Sequence, residues 1–158
     1  MDDRVLRSEL VALLTEEQAH AQFEKAFSGV APGNRNRRVP GVEHTLWQLL
    51  EHLRTAQEDI LRYTLDPSWK SPENMEDYWP EPAGAIDEAT WQRSVEAFLN
   101  DRSEVARLAQ DGSRDLTLRI PHGEFRTYLR QVLLVADHNA YHVGQAVQIR
   151  KILGDWPS

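Results

Sequence analysis

Residues 127–153 read TYLRQVLLVADHNAYHVGQAVQIRKIL, and between Gln131 and Ile149 the only formally charged residue is Asp137. Thr127 can cap a helix, and the helical pattern runs to about Leu153 before Gly154 and Pro157. At 100° per residue, Leu129, Val132, Leu133, Ala136, Ala140, Val143 and Val147 gather on one face. His138 and His142 fall roughly opposite, beside Leu134, Val135, Gln145 and Ile149. A helix apolar on both sides must be buried on both sides. One face then meets a core of other helices. The other meets a site, a partner subunit or both.

Three more helical stretches supply that core. The first runs from about Asp3 to Phe27, with Val5, Leu6, Leu10, Leu13 and Leu14 on one stripe. Thr15-Glu16-Glu17-Gln18 has the form of a capping box, so this stretch reads as two helices meeting near Thr15. Gly29, Pro32 and Gly33 end it. The second runs from about Glu43 to Tyr63. Its Leu46, Leu49, Leu50, Leu53, Ala56 and Ile60 fall at offsets 0, 3, 4, 7, 10 and 14, the core pattern of a helix. The third begins at Asp87 as N-cap and continues through Trp91, Val95, Phe98, Leu99, Val105 and Leu108 to about Ala109, where Asp111-Gly112 closes it. Leu116 to Ile120 alternates at period two and reads as a short extended segment, and Pro121-His122-Gly123 turns the chain.

The expected fold is therefore all-α, a four-helix bundle forming one domain over residues 1–158. About twenty residues separate the second and third helices, carrying Pro67, Pro72, Pro80 and Pro82 with Trp69, Tyr78 and Trp79. A loop of that length in a compact domain is usually functional or packs as a unit, and these aromatics predict packing against the bundle. The same length lets the third helix lie parallel to the second, a long crossover connection between helices 2 and 3.

Composition removes several function classes. No apolar run approaches the roughly 18–20 residues of a membrane span. The acidic start at Asp2 and Asp3 is unlike a secretory signal, so the expected location is cytoplasmic. A net charge of −7 argues against nucleic acid as partner, because phosphate binding needs a clustered basic surface. The one cluster, Arg35, Arg37 and Arg38, lies between Gly33 and Pro40 and reads as a solvated loop. There is no cysteine. Disulfides, thiolate ligands and a cysteine nucleophile are excluded, and any thiol chemistry must use a thiol brought in from outside.

A spacing of i, i+4 places the imidazoles of His138 and His142 one turn apart on one helix face, within reach of one ion. Polar packing is the competing reading of such a pair. Asn139 stands where a zinc-protease helix carries its catalytic Glu, and Glu-x-x-His is absent, since Val135, Asn139 and Leu49 lie three before the histidines. His52 is the natural third ligand. It sits in a narrow polar stripe with Thr45, Gln48, Thr55 and Asp59, which on pattern alone also reads as a solvated flank. His44 falls near the start of that helix. His20 and His122 read as loop or surface residues, with His122 a candidate for a pocket mouth.

His44-Thr-Leu-Trp-Gln-Leu-Leu-Glu-His52-Leu and Ala136-Asp-His-Asn-Ala-Tyr-His142-Val-Gly-Gln resemble the two signature helices of the DinB-like superfamily. Gln18 to Glu24, Asp77-Tyr-Trp-Pro80 and Pro121-His-Gly123 resemble the rest of one subgroup, so the likeness covers nearly the whole chain. The resemblance implies a four-helix bundle with a crossover connection, a homodimer, and a metal triad of one histidine from the second helix and a His-x-x-x-His pair from the fourth. Matched position by position, that triad is His52, His138 and His142. It also implies chemistry seen among members that transfer low-molecular-weight thiols such as bacillithiol or use mycothiol to isomerise maleylpyruvate.

Three neutral imidazoles on one divalent ion leave a position open for water or substrate. Zinc, nickel, copper and iron all accept imidazoles, so the ligand set does not choose among them; zinc or nickel is the expected ion. The expected function is a metal-dependent enzyme of thiol-transferase or hydrolase type. Gln48, Thr55 and Gln145 are pocket candidates, Asp59 is a residue that could orient a ligand, and Asp137 points about 100° away from His138. The alternatives are a non-catalytic, stress-related module that binds metal or a small molecule, and a plain structural bundle. The apolar circumference of the last helix predicts a homodimer, with the Trp69–Trp79 connection as the competing cover.

Overall fold

The computed structural model describes residues 3–81 and 84–157. The acidic start at Met1-Asp2 and Pro82 of the connection lie outside the described residues. Five α-helices follow in order: α1 (Asp3–Thr15), α2 (Phe23–Phe27), α3 (Leu46–Leu65), α4 (Glu88–Gln110) and α5 (Tyr128–Ile152). Single 3-10 turns span Pro32–Asn34 and Met75–Tyr78. The protein is all-α. Among the described residues there is no strand, only one isolated bridge between Arg119 and Thr127.

Helices α3, α4 and α5 each start at a side chain that satisfies an otherwise orphaned backbone N–H. Thr45 Oγ1 accepts from Gln48 N at 3.2 Å, and Gln48 Oε1 accepts from Thr45 N at 3.1 Å. This reciprocal box starts α3 at Leu46, later than the expected Glu43. Asp87 accepts from Thr90 N at 2.7 Å and Thr127 from Arg130 N at 3.1 Å, opening α4 and α5 where the sequence places them. The break in the first stretch also occurs, but Thr15 does not cap α2. Its hydroxyl donates back to Val11 O at 2.8 Å, so it closes α1, and Gln22 Nε2 ties the two segments by donating to Thr15 O at 2.8 Å.

α3 packs against α4 and α5, and α1 packs against the same two helices. The α3–α4 contacts join early residues to early ones. Trp47 lies 6.3 Å from Trp91, ring to ring, and Gln57 Nε2 donates to Phe98 O at 2.8 Å. Those with α5 run the opposite way: Gln57 Oε1 accepts from Asn139 Nδ2 at 2.9 Å, and Thr64 Oγ1 accepts from Gln131 Nε2 at 3.4 Å. One apolar cluster surrounds Phe27, Leu50, Trp91 and Phe98, and a second surrounds Leu10, Val105, Ile120 and Val132. The stripe of α1 is narrower than expected. Leu10 and Leu14 are buried, whereas Val5 and Leu13 are exposed.

The core-facing side of α5 also differs from the sequence reading. Tyr128, Val132, Val135, His142, Val143, Ala146 and Ile149 are buried, and Leu133 is exposed. That seam is turned by about a quarter of the helix circumference from the expected apolar face. On a helix apolar nearly all round, periodicity has no clear maximum, so packing decides which residues go inward.

Three arginines are buried for structural reasons. Arg35 is not solvated: its guanidinium lies 5.4 Å from the Trp91 ring, donates to Ile86 O at 3.2 Å and pairs with Glu88, leaving Arg37 and Arg38 exposed. Arg7 donates to Ala109 O and Asp111 O at 2.9 and 2.8 Å, capping the carbonyl end of α4. Arg150 does the same for α2 through Lys25 O, Ala26 O and Ser28 O. A cation at a helix C-terminus satisfies carbonyls that have no partner within the helix.

The connection between α3 and α4 folds back on α3. Trp69 Nε1 and Tyr78 Oη both donate to the Asp59 carboxylate at 2.8 Å. Gln48 Nε2 donates to Pro80 O at 3.3 Å. These three bonds hold the aromatic segment over the middle of α3.

Candidate metal centre

Because α3 and α5 run in opposite senses, the middle of one faces the middle of the other. His52 comes from α3, and His138 and His142 come from successive turns of α5. One ring nitrogen from each can be chosen so that all three lie within 4.8 Å of one another. His52 Nε2 and His138 Nε2 are 3.0 Å apart. His52 and His142 are buried and His138 is half-buried.

The outer nitrogens define which atoms remain for a ligand. His52 Nδ1 lies 3.1 Å from Tyr78 O, and a carbonyl only accepts, so Nδ1 carries the proton and Nε2 offers a lone pair. His142 Nδ1 lies 2.7 Å from Gln145 Oε1, which orients that ring in the same way. His138 Nδ1 is buried without a hydrogen-bond partner. This set of inward nitrogens, two of them fixed from behind, fits a borderline divalent ion.

Trp79 completes the wall. Its ring stacks on His52 at 3.7 Å and 1°, and on His44 at 3.7 Å and 12°. The indole is thus held between two imidazoles, and its edge meets His142 at 5.8 Å. Beside the triad opens a cleft of about 650 Å³, lined in part by His44, Trp79, Tyr141, His142, Gly144 and Gln145.

Burial pushes His52 down to about 4, and the neighbouring His138, His142 and His44 oppose its charging further; the bond to Tyr78 O works the other way. His138 is also pushed down to about 4, by burial and then by His142. His142 is lowered by burial. All three are neutral at neutral pH, as metal ligation requires. Since the folded values lie below the ordinary 6.5, the unfolded chain takes up more protons as pH falls. The metal-free protein is therefore expected to lose stability between about pH 6.5 and pH 4 and to be insensitive to these groups above that window. Urea unfolding across this range measures it, and no difference between the wild type and a His52→Gln/His138→Gln variant in that pH dependence would contradict it.

Other sequence candidates are placed differently. Gln48 is spent on the α3 cap and on Pro80 O, and Thr55 accepts from Arg54 at 3.2 Å. Neither lines the cleft; Gln145 does. Asp59 acts through the connection, since the Tyr78 side chain it holds belongs to the residue whose carbonyl orients His52. Asp137 is exposed. His122 Nε2 contacts Tyr63 O at 2.6 Å, near the far end of α3, and does not line this cleft. His20 is exposed beside Ala21 O. Trp79 and His44 were missed as site residues. The proline-rich aromatic segment predicted packing, but nothing in its spacing pointed to one indole between two imidazoles.

Fold and site together define an all-α protein with a three-histidine cluster compatible with a metal ion. A family model described as the DinB superfamily matches residues 7–146, and the chain belongs to that superfamily. No curated protein and no solved structure matches it. Among the described residues no helix is long and apolar enough to cross a membrane.

Proposed function

We propose that His52, His138 and His142 hold one divalent ion, zinc or nickel, in a metal-dependent enzyme of thiol-transferase or hydrolase type. The observation that carries this reading is the convergence of three ring nitrogens within 4.8 Å at the edge of an open cleft. Bound there, the ion would act as a Lewis acid that lowers the pKa of a coordinated water or thiol. The chain does the rest. Tyr78 O and Gln145 hold two imidazoles in the ligating tautomer, Trp79 screens His52 from water, and Asp59 holds the segment that carries Tyr78 and Trp79. With no cysteine in the chain, the thiol is a low-molecular-weight cosubstrate.

The same reading takes residues 1–158 as one cytoplasmic domain, a four-helix bundle of α1, α3, α4 and α5 with the crossover between α3 and α4. It forms a homodimer through the outer face of α5, where Leu129, Leu133 and Leu134 line a shallow groove. Light scattering at low micromolar concentration tests the dimer, and a monomer mass would reject it.

Chelated and metal-restored protein, compared on electrophiles with and without added thiols, tests the enzyme. Equal rates in the two preparations would remove it. A second reading is a stress-related module that binds metal or a small molecule without turnover. It is favoured by the cleft lining, whose only carboxylate is that of the exposed Glu43 at the rim. Tight ligand binding without turnover would select that reading.

A further inference from the structure

Beside the triad, the cleft has a lining of its own chemical character. Val42, Leu49, Trp79, Tyr141 and Ile149 supply apolar and aromatic surface. The polar groups among them are Gln145, Gln148, His44 and the rim carboxylate of Glu43, with no lysine or arginine. An anionic body entering here would lose hydration without gaining a cationic partner, and the one carboxylate, that of Glu43, is largely exposed at the rim and screened by solvent. A flat uncharged one would meet aromatic rings and neutral hydrogen-bonding groups, the usual composition of a small-molecule site. Tyr141 is 65% exposed, a large aromatic side chain left at the cleft wall rather than in the core.

Gly144 stands one turn along α5 from Tyr141, on the same exposed side. Glycine is unfavourable in the interior of a helix, and its backbone here is ordinary helix with no positive φ. A Cβ built on it would meet nothing within 4 Å. Neither backbone geometry nor a close neighbour within the chain requires glycine at this position. What the missing side chain does leave is room in the cleft, two residues from His142.

We propose that the cleft receives the flat, uncharged body of a small ligand whose metal-binding head sits at the triad, and that Gly144 is the specificity-determining position that keeps room for that body. The proposal rests on the metal reading above and goes beyond it by naming the ligand class. A side chain at residue 144 would project into the space where the body lies. Trp79, its two faces covered by His52 and His44, lines the cleft with its edge and joins the two parts of the site, so a head at the triad brings its body against that edge.

Two probes with the same head separate body from head. Acetohydroxamate carries only a methyl group, and benzohydroxamate carries a phenyl ring. Calorimetry on the zinc-loaded protein is expected to give benzohydroxamate an affinity about tenfold higher or more. Gly144→Leu should collapse that ratio to about one while the protein still holds its metal. Tyr141→Ala is a second variant that should reduce the ratio by removing a wall. Equal affinities for the two probes in the wild type, or a full tenfold preference surviving in Gly144→Leu, overturn the proposal and leave the metal reading intact. A protein that takes up no zinc and binds neither probe overturns the metal reading, and this proposal with it.

Discussion

Replacing His142 by alanine is expected to abolish stoichiometric metal binding while leaving the helical fold in place. Three imidazoles converge on one point, so removing one leaves two nitrogens and an extra exposed coordination position. Loss of an outer hydrogen-bond partner alone typically costs about 10–100-fold in metal affinity, and loss of a ligand should exceed that. The fold should survive because His142 is a poor core residue: it is buried, its protonated form is disfavoured, and it crowds two other imidazoles. His52→Ala should behave alike. Elemental analysis after dialysis, with circular dichroism as a check on folding, measures both. A folded double variant that retains one ion per chain would reject the triad.

The largest loss of stability is expected at Trp91, outside the site. Its ring is 1% exposed and lies 6.3 Å from Trp47 and 6.1 Å from Phe27, and its Nε1 donates to Phe27 O at 3.2 Å. The guanidinium of Arg35 lies over one face. Trp91→Ala removes the filling between α2, the start of α3 and the start of α4, and orphans a buried carbonyl. Changes of this kind cost about 3–5 kcal/mol, a large fraction of the about 5–15 kcal/mol that holds a domain together. Urea unfolding should show it, and a loss under about 1 kcal/mol would contradict this account of the core.

Helix starts were the most legible feature of the sequence. Asp87 and Thr127 open α4 and α5 because a short acceptor side chain before a periodic run is a local signal, and local signals survive folding. Thr15 shows the limit of that argument. Its capping-box neighbours satisfy the pattern, yet its hydroxyl bonds backward to Val11. The core pattern of α3 was readable from its leucines, whereas α5 was misassigned by a quarter turn because nearly every side offers an apolar residue. Arg35 was misread for a related reason. Nothing local to a glycine- and asparagine-rich loop shows that Trp91 and Glu88, more than fifty residues on, will enclose its guanidinium.

The clustering of the three histidines was legible for two different reasons. The closeness of the pair on α5 follows from helical spacing, while His52 was named as the natural third ligand from its polar stripe and then matched by the family resemblance, because no periodicity relates residues on two helices. The surroundings were not legible. His44 and Trp79 meet only because the connection folds back, and that fold is held by Asp59, which the sequence shows merely as one more polar residue on a flank. Gln48 illustrates the converse. It shares the polar stripe of His52, but the helix cap and Pro80 O consume its amide before any ligand can use it.

X-ray absorption on protein purified without added chelator reports both an ion and its neighbours, and so asks directly whether the three imidazoles hold one divalent ion. The expected result is about one ion per chain with three imidazole nitrogens at the ~2.0–2.1 Å typical of zinc, or at the comparable distance for nickel. A protein that carries no ion and takes up neither zinc nor nickel when each is supplied at equimolar concentration would contradict it.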